Sequence, residues 1–238
     1  MAGHSHWAGI KHKKGRQDKE RAKLFSKLSR EITVAAKLGA KDPDSNPRLR
    51  SAIQAAKQSN MPKDNINRAI SKSEVNSAQN FENLRYEGYG CYGTALIIET
   101  LSDNKNRTAS SIRTILQKNG GRLGESGSTS HLFNNYGVIH IEKKNIEEDK
   151  IIEIAINSGA KDCNTSEDIY EIICEMKDFY KVKSTIEKKI SNFFYSGIEW
   201  RPDSYINLSN EQKQKVLIMM ESLDDIDDIQ NIFINCKF

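Results

Sequence analysis

Apolar positions along the first third recur in steps of three and four. In QDKERAKLFSKLSREITVAAKLG (17–39), Phe25, Leu28, Ile32, Ala35 and Ala36 fall on one side of a helix, and Gly39 stops it. Asn46 is a natural cap and Pro47 a natural first residue for a second helix, whose inward face is Leu49, Ala52, Ile53 and Ala56. Asn60-Met61-Pro62 breaks that helix, and Pro62 opens a third with Ile66, Ala69 and Ile70 inward. Three short helices joined by tight turns predict an orthogonal bundle.

From residue 81 the period shortens. FENLRYEGYG and GTALIIETLS predict two strands joined through the turn at Gly90–Gly93, and Asn104–Asn119 predicts a helix ended by Gly120-Gly121. Strand 138–143, helix 147–159, a short strand near 160–163, strand 168–176, helix 178–191 and strand 192–200 follow. That order is βαββαβ, the split ferredoxin-like unit. The tail adds a helix (Glu211 to Leu223) and a strand (Ile229 to Ile234), which cannot form a core alone. They are expected to complete the sheet begun at 81–119. The fold class is multi-domain α+β. The expected domains are 1–75, a discontinuous 76–133 with 203–238, and an inserted 134–202.

Charge sharpens this picture. The chain of 238 residues carries a net +4, yet residues 1–75 hold 17 Lys and Arg against 7 Asp and Glu. The remaining 163 residues hold 19 against 25. A basic third on an acidic body points to a polyanionic partner. At 100° per residue, Lys19, Lys23, Lys27, Arg30 and Lys37 span an arc of about 80°, opposite the apolar side. The arm before the helix has no acid and holds Trp7, Lys11, Lys13, Lys14 and Arg16. Arg48, Arg50 and Lys57 decorate the second helix, and Lys63, Arg68 and Lys72 the third. All of these cations except Lys72 are taken as the candidate phosphate-contacting set, and Trp7 is left out of it. Few polar residues stand out as base-edge readers, so phosphate contact is the expectation rather than sequence reading. A possible second patch is Arg107, Arg113 and Arg122.

Other chemistry is thin. The longest apolar run is five residues, Val216 to Met220, far short of the roughly 20 that span a bilayer. No export signal is recognised, so a cytoplasmic protein without membrane contact is expected. Cys91, Cys163, Cys174 and Cys236 form no C-x-x-C pair, and reduced, mostly buried thiols are expected. GGRLGESGSTS (120–130) has the glycines of an anion cradle but not the Gly-Lys-Ser/Thr end of a P-loop. A flexible linker or a loop facing nucleic acid is the better expectation. His131 and His140 have no acid–base partner at a recognisable spacing. The acids Asp224, Asp225, Asp227 and Asp228 lack the pattern of a calcium loop, leaving a solvated connection or an internal counter-charge for the basic domain. No cofactor, metal, small-molecule substrate or catalysis is expected.

The segments GHSHWAGIKHKK, KLFSKLSREI, AAKLGAKDPDSNPRLRSAI, NMPKDNINRAI, YEGYG, DNKNRT, KNGGRLGESGS and DDIQN run in order along nearly the whole chain. They resemble the YebC family. That family includes bacterial proteins described as transcriptional regulators and a mitochondrial relative described as a translational activator. The resemblance implies a helical domain followed by two ferredoxin-like domains, in a cytoplasmic, non-enzymatic protein acting on nucleic acid or the ribosome. Two positions depart from the family pattern. Cys91-Tyr92 stands where Gly-Pro is common, and Asn134-Asn135-Tyr136 replaces a charged turn. The leading expectation is a DNA-binding transcriptional regulator, with an RNA- or ribosome-associated translation factor as the alternative and an enzyme as a remote third.

Overall fold

A computed structural model describes residues 17–75, 81–190 and 193–238, with side chains from residue 21 to 73 in the first segment. Tertiary contacts divide the chain into two compact units, one formed by 131–204 and the other by the residues before and after it.

The larger unit opens with helices α1 (Gln17–Leu38), α2 (Pro47–Gln58) and α3 (Lys63–Val75). They meet over a shared core of Ile32, Ala35, Ala36, Leu49, Ala52, Ala56, Ile66 and Ala69, the three-and-four-step positions of the sequence, joined by Met61 from the break between α2 and α3. Buried Asn46 fixes the α1–α2 corner. Its side chain accepts from the Leu49 amide and donates to the Ala35 and Ala40 carbonyls. Gly39 makes room for it, since a Cβ there would lie 2.6 Å from the Asn46 amide nitrogen.

The same unit holds β1 (Glu82–Tyr89), β2 (Ala95–Ser102), α4 (Lys105–Lys118) and β3 (Arg122–Leu123), then regains α7 (Asn210–Asp224) and β8 (Ile229–Ile234). The strands form an antiparallel sheet in the order β3-β1-β2-β8, with the β1–β2 hairpin at its centre. Leu96 and Ile98 of β2 and Ile232 and Ile234 of β8 pack with Ile112 and Leu116 of α4 and Met219 and Leu223 of α7. The tail thus completes the sheet that begins at residue 82.

The smaller unit contains β4 (Phe133–Glu142), α5 (Glu148–Ser158), β5 (Asp162–Thr165), β6 (Ile169–Glu175), α6 (Phe179–Glu187) and β7 (Tyr195–Pro202). Its antiparallel sheet runs β5-β6-β4-β7, the ferredoxin-like order, and Ile139, Ile141 and Ile172 pack against Ile151, Val182 and Ile186. β4 starts five residues earlier than its alternation predicts. Phe133–Gly137 follow no apolar period; all five pair with Ile198–Pro202 of β7, and Tyr136 and Gly137 also pair with β6.

Candidate nucleic-acid interface

Three cations of the α1 stripe, Lys23, Lys27 and Arg30, are not open. Lys23 Nζ lies 2.8 Å from both Asp224 and Asp225, and Lys27 Nζ lies 2.7 Å from Asp224. Arg30 Nη1 lies 2.8 Å from Asp228 and also donates to the carbonyls of Leu101 and Asp227. These three side chains keep only 16%, 11% and 20% of their surface. The expectation that they face a phosphate chain is therefore corrected, and the acidic run serves as the internal counter-charge. The chemistry explains why. Asp224 and Asp225 stand at the carboxyl end of α7, where the helix dipole is already negative and no basic residue of α7 itself stands in the last turn. Lys23 and Lys27 supply the missing cations. Asp228 also accepts from Ser102, Thr108 and Arg107. Burial pushes its carboxyl up, but the bonds from Thr108, Arg107 and Ser102 outweigh that and hold it below the ordinary value.

Two more candidates are engaged. Arg48 binds Glu31 through two nitrogens and reaches Asn83, and Arg107 bridges Asp103 and Asp228. Lys37 is half-buried and has a partner of its own. Lys11, Lys13, Lys14, Arg16 and Trp7 lie outside the described residues, as does the side chain of Lys19.

What remains on the helical layer is a different set. Arg50 and Lys57 on α2, and Lys63, Arg68 and Lys72 on α3, are exposed, and none forms an ion pair among the described residues. Arg50 and Lys57 are two turns apart on one face of α2, roughly 10 Å along its axis. Arg68 and Lys72 are one turn apart, a like-charge spacing that costs an isolated helix stability and that a polyanion relieves. Leu49, Ala52, Ala56, Ile66 and Ala69 turn inward to α1, so α2 and α3 present these cations away from it. Lys72 is the one member not taken into the set from sequence, and its spacing from Arg68 was the available signal.

Arg113 of α4 is exposed with no ion pair among the described residues, and Arg122 of β3 lies over the Tyr89 ring at 4.8 Å. The expectation of a flexible linker at 120–130 is corrected. Arg122 and Leu123 form β3, and the amides of Thr129 and Ser130 donate to the buried carboxylate of Glu87 at 2.8 Å each. Burial pushes the Glu87 carboxyl up, but the Thr129, Gly127 and Ser130 amides outweigh that and hold it down. The cradle is thus filled by the protein's own anion, and Thr129 is fully buried. Glu87 lies 42 residues from Thr129, a separation that leaves no local sequence signal.

In the smaller unit, His140 meets Glu171 at 3.0 Å, and Arg201 binds both Glu171 and Glu199. Burial pushes Glu171 up, but His140 and Arg201 pull it down to about 2. This buried, mutually satisfied cluster has the marks of structural pairing. Among the described residues no group of His, Cys, Asp or Glu is arranged to hold a metal, and no helix is long and apolar enough to cross a membrane. The four cysteines are free thiols, Cys163 half-buried and the others buried.

Known proteins share this architecture. The crystal structure of a conserved hypothetical protein from Aquifex aeolicus superposes with a TM-score of 0.86 at 41% identity, covering 98% of this chain and 96% of that one. A probable transcriptional regulatory protein of Pelagibacter ubique is 55% identical over all of this chain and 99% of its own length. Another so named, from Zymomonas mobilis, is 48% identical over 99% of this chain and 94% of its own. The TACO1/YebC N-terminal domain model matches residues 5–76, and the TACO1/YebC second and third domain model matches 81–236. The chain belongs to the TACO1/YebC family.

Proposed function

We propose that this protein is a non-catalytic, nucleic-acid-binding regulator that acts in transcription and grips the phosphate backbone with Arg50, Lys57, Lys63, Arg68 and Lys72. The observation that carries this reading is the contrast between two cation sets on one helical layer. Lys23, Lys27 and Arg30 of α1 are matched by carboxylates of the same chain, whereas Arg50 and Lys57 of α2 and Lys63, Arg68 and Lys72 of α3 have none among the described residues. Arg113 and Arg122 extend the positive surface on the sheet side. The names of the Pelagibacter and Zymomonas relatives support a regulatory role in transcription.

A second reading, a translation factor on ribosomal RNA, draws on one feature. On α2 and α3 the exposed amide side chains are Gln58 and Asn67, few for reading base edges, so shape and charge would dominate. Crosslinking in cells followed by sequencing of both DNA and RNA separates the two. Enrichment at promoters supports the transcriptional reading, enrichment of ribosomal RNA supports the other, and enrichment of neither removes both.

A further inference from the structure

At the β1–β2 hairpin end, the chain takes left-handed backbone at two successive residues, Tyr92 (φ 60°, ψ 24°) and Gly93 (φ 73°). Asn-Gly or Gly-Gly ordinarily fills such a pair, because a Cβ is strained there. Here the first residue is a tyrosine. Its ring does not repay that strain by packing. It is 41% exposed, and among the described residues it makes no ring contact, cation contact or hydrogen bond. The hairpin beneath it is anchored: Cys91 is buried in the core, and the Gly90 amide donates to the Thr94 carbonyl at 2.7 Å.

The segments beside the hairpin carry cations. Arg122 pairs across the sheet with Tyr89, three residues from Tyr92, and its guanidinium lies over the Tyr89 ring. Gly121 abuts the hairpin so closely that an added Cβ would lie 3.0 Å from the Gly90 Cα. Lys118 ends the helix leading into that segment, and exposed Lys215 of α7 is close enough for its charge to act on Cys91. A strained, solvent-facing aromatic ring on a hairpin flanked by cations has the composition of a surface on which unpaired bases stack.

We infer that Tyr92 is a base-stacking residue for single-stranded nucleic acid, with Arg122, Lys118 and Lys215 neutralising the neighbouring phosphates. This rests on the nucleic-acid reading above and adds a strand preference to it. Stacking is sequence-tolerant and not ionic, so it changes affinity without changing how affinity responds to salt.

The test measures anisotropy of labelled oligo(dT), oligo(rU) and a short duplex with the full chain and with Tyr92→Gly and Tyr92→Phe. Tyr92→Gly is expected to weaken single-strand binding by about 5- to 100-fold. Its salt slope and its duplex affinity should stay those of the parent, and Tyr92→Phe should retain binding. The melting temperature of Tyr92→Gly should be unchanged or raised by up to about 4 °C, because glycine accepts the left-handed conformation without strain. Single-strand affinity equal to the parent's overturns the inference, as does an equal loss on duplex, or a loss accompanied by a lower melting temperature. If removing Arg50, Lys57 and Arg68 lowers the salt slope while Tyr92→Gly binds like the parent, the nucleic-acid reading stands and stacking falls. A parent chain that binds neither single strand nor duplex removes both.

Discussion

Replacing Asp228 with alanine tests the contact between the helical layer and the first sheet. Its carboxylate, 7% exposed, receives Arg30 at 2.8 Å, Arg107 at 2.9 Å, Thr108 at 2.6 Å and Ser102 at 3.0 Å. The four donors do not contribute equally. Arg107 is half-exposed, so water replaces its lost partner at little cost. Ser102 and Thr108 are buried but keep each other at 2.7 Å, and Thr108 keeps the Asn104 carbonyl. Arg30 is mostly buried and retains the carbonyls of Leu101 and Asp227 and the face of the Phe81 ring, so its charge is left without a counter-ion. Breaking a buried pair of this kind costs about 3–5 kcal/mol, and the surviving bonds place Asp228→Ala at the lower end, about 3 kcal/mol. Asp228→Asn keeps one acceptor and should cost about 2 kcal/mol. Urea unfolding followed by far-UV circular dichroism reads the loss, with hydrogen exchange of the α1 amides locating it. A double-mutant cycle with Arg30→Ala should give a coupling above about 1 kcal/mol. A loss under about 0.5 kcal/mol for Asp228→Ala, with no coupling to Arg30, refutes the reasoning.

Two further outcomes follow from the geometry. Glu171 is held at about 2 in the folded chain against an ordinary 4.5, so the unfolded chain takes up its proton first as pH falls. Its contribution, about 3 kcal/mol, is fully present above pH ~4.5 and is lost as pH falls toward ~2. Unfolding of the smaller unit across that range should show it, and Glu171→Gln should flatten the dependence; an unchanged profile contradicts the assignment. Asn46→Ala removes the α2 cap and the bonds to the Ala35 carbonyl of α1 and the Ala40 carbonyl of the turn, and should cost about 2 kcal/mol in a thermal or urea melt, whereas an effect below about 0.5 kcal/mol would contradict the cap's role.

Much of the fold was legible because its signals are local. The Asn46-Pro47 start, the inward Leu49, Ala52 and Ala56, and the tail strand Ile229–Ile234 all stand where periodicity and capping put them. β3 was not legible: a two-residue strand has no period, and only pairing with Gly88 and Tyr89 defines it. The candidate interface was half legible. The arc of cations on α1 follows from helix geometry, yet periodicity says which side is polar and not what covers it. The cover comes from Asp224 and Asp228, almost 200 residues away. The acidic run was visible in the sequence as one possible counter-charge, but only the fold brings it to Lys23, Lys27 and Arg30. The same distance explains Glu87, whose cage of amides is a tertiary product of a glycine-rich loop that looks open on paper.

The central claim is that the open cations of α2 and α3 grip phosphate while the paired cations of α1 hold the fold. The most direct measurement is the salt dependence of nucleic-acid affinity for Arg50→Ala/Lys57→Ala/Arg68→Ala beside Lys23→Ala/Lys27→Ala. The account predicts that the first variant flattens the log–log slope by roughly 0.7–0.9 for each cation removed. The second should keep the parent slope and lose stability instead. A parent slope in the first variant, or a flattened slope with unchanged stability in the second, would contradict it.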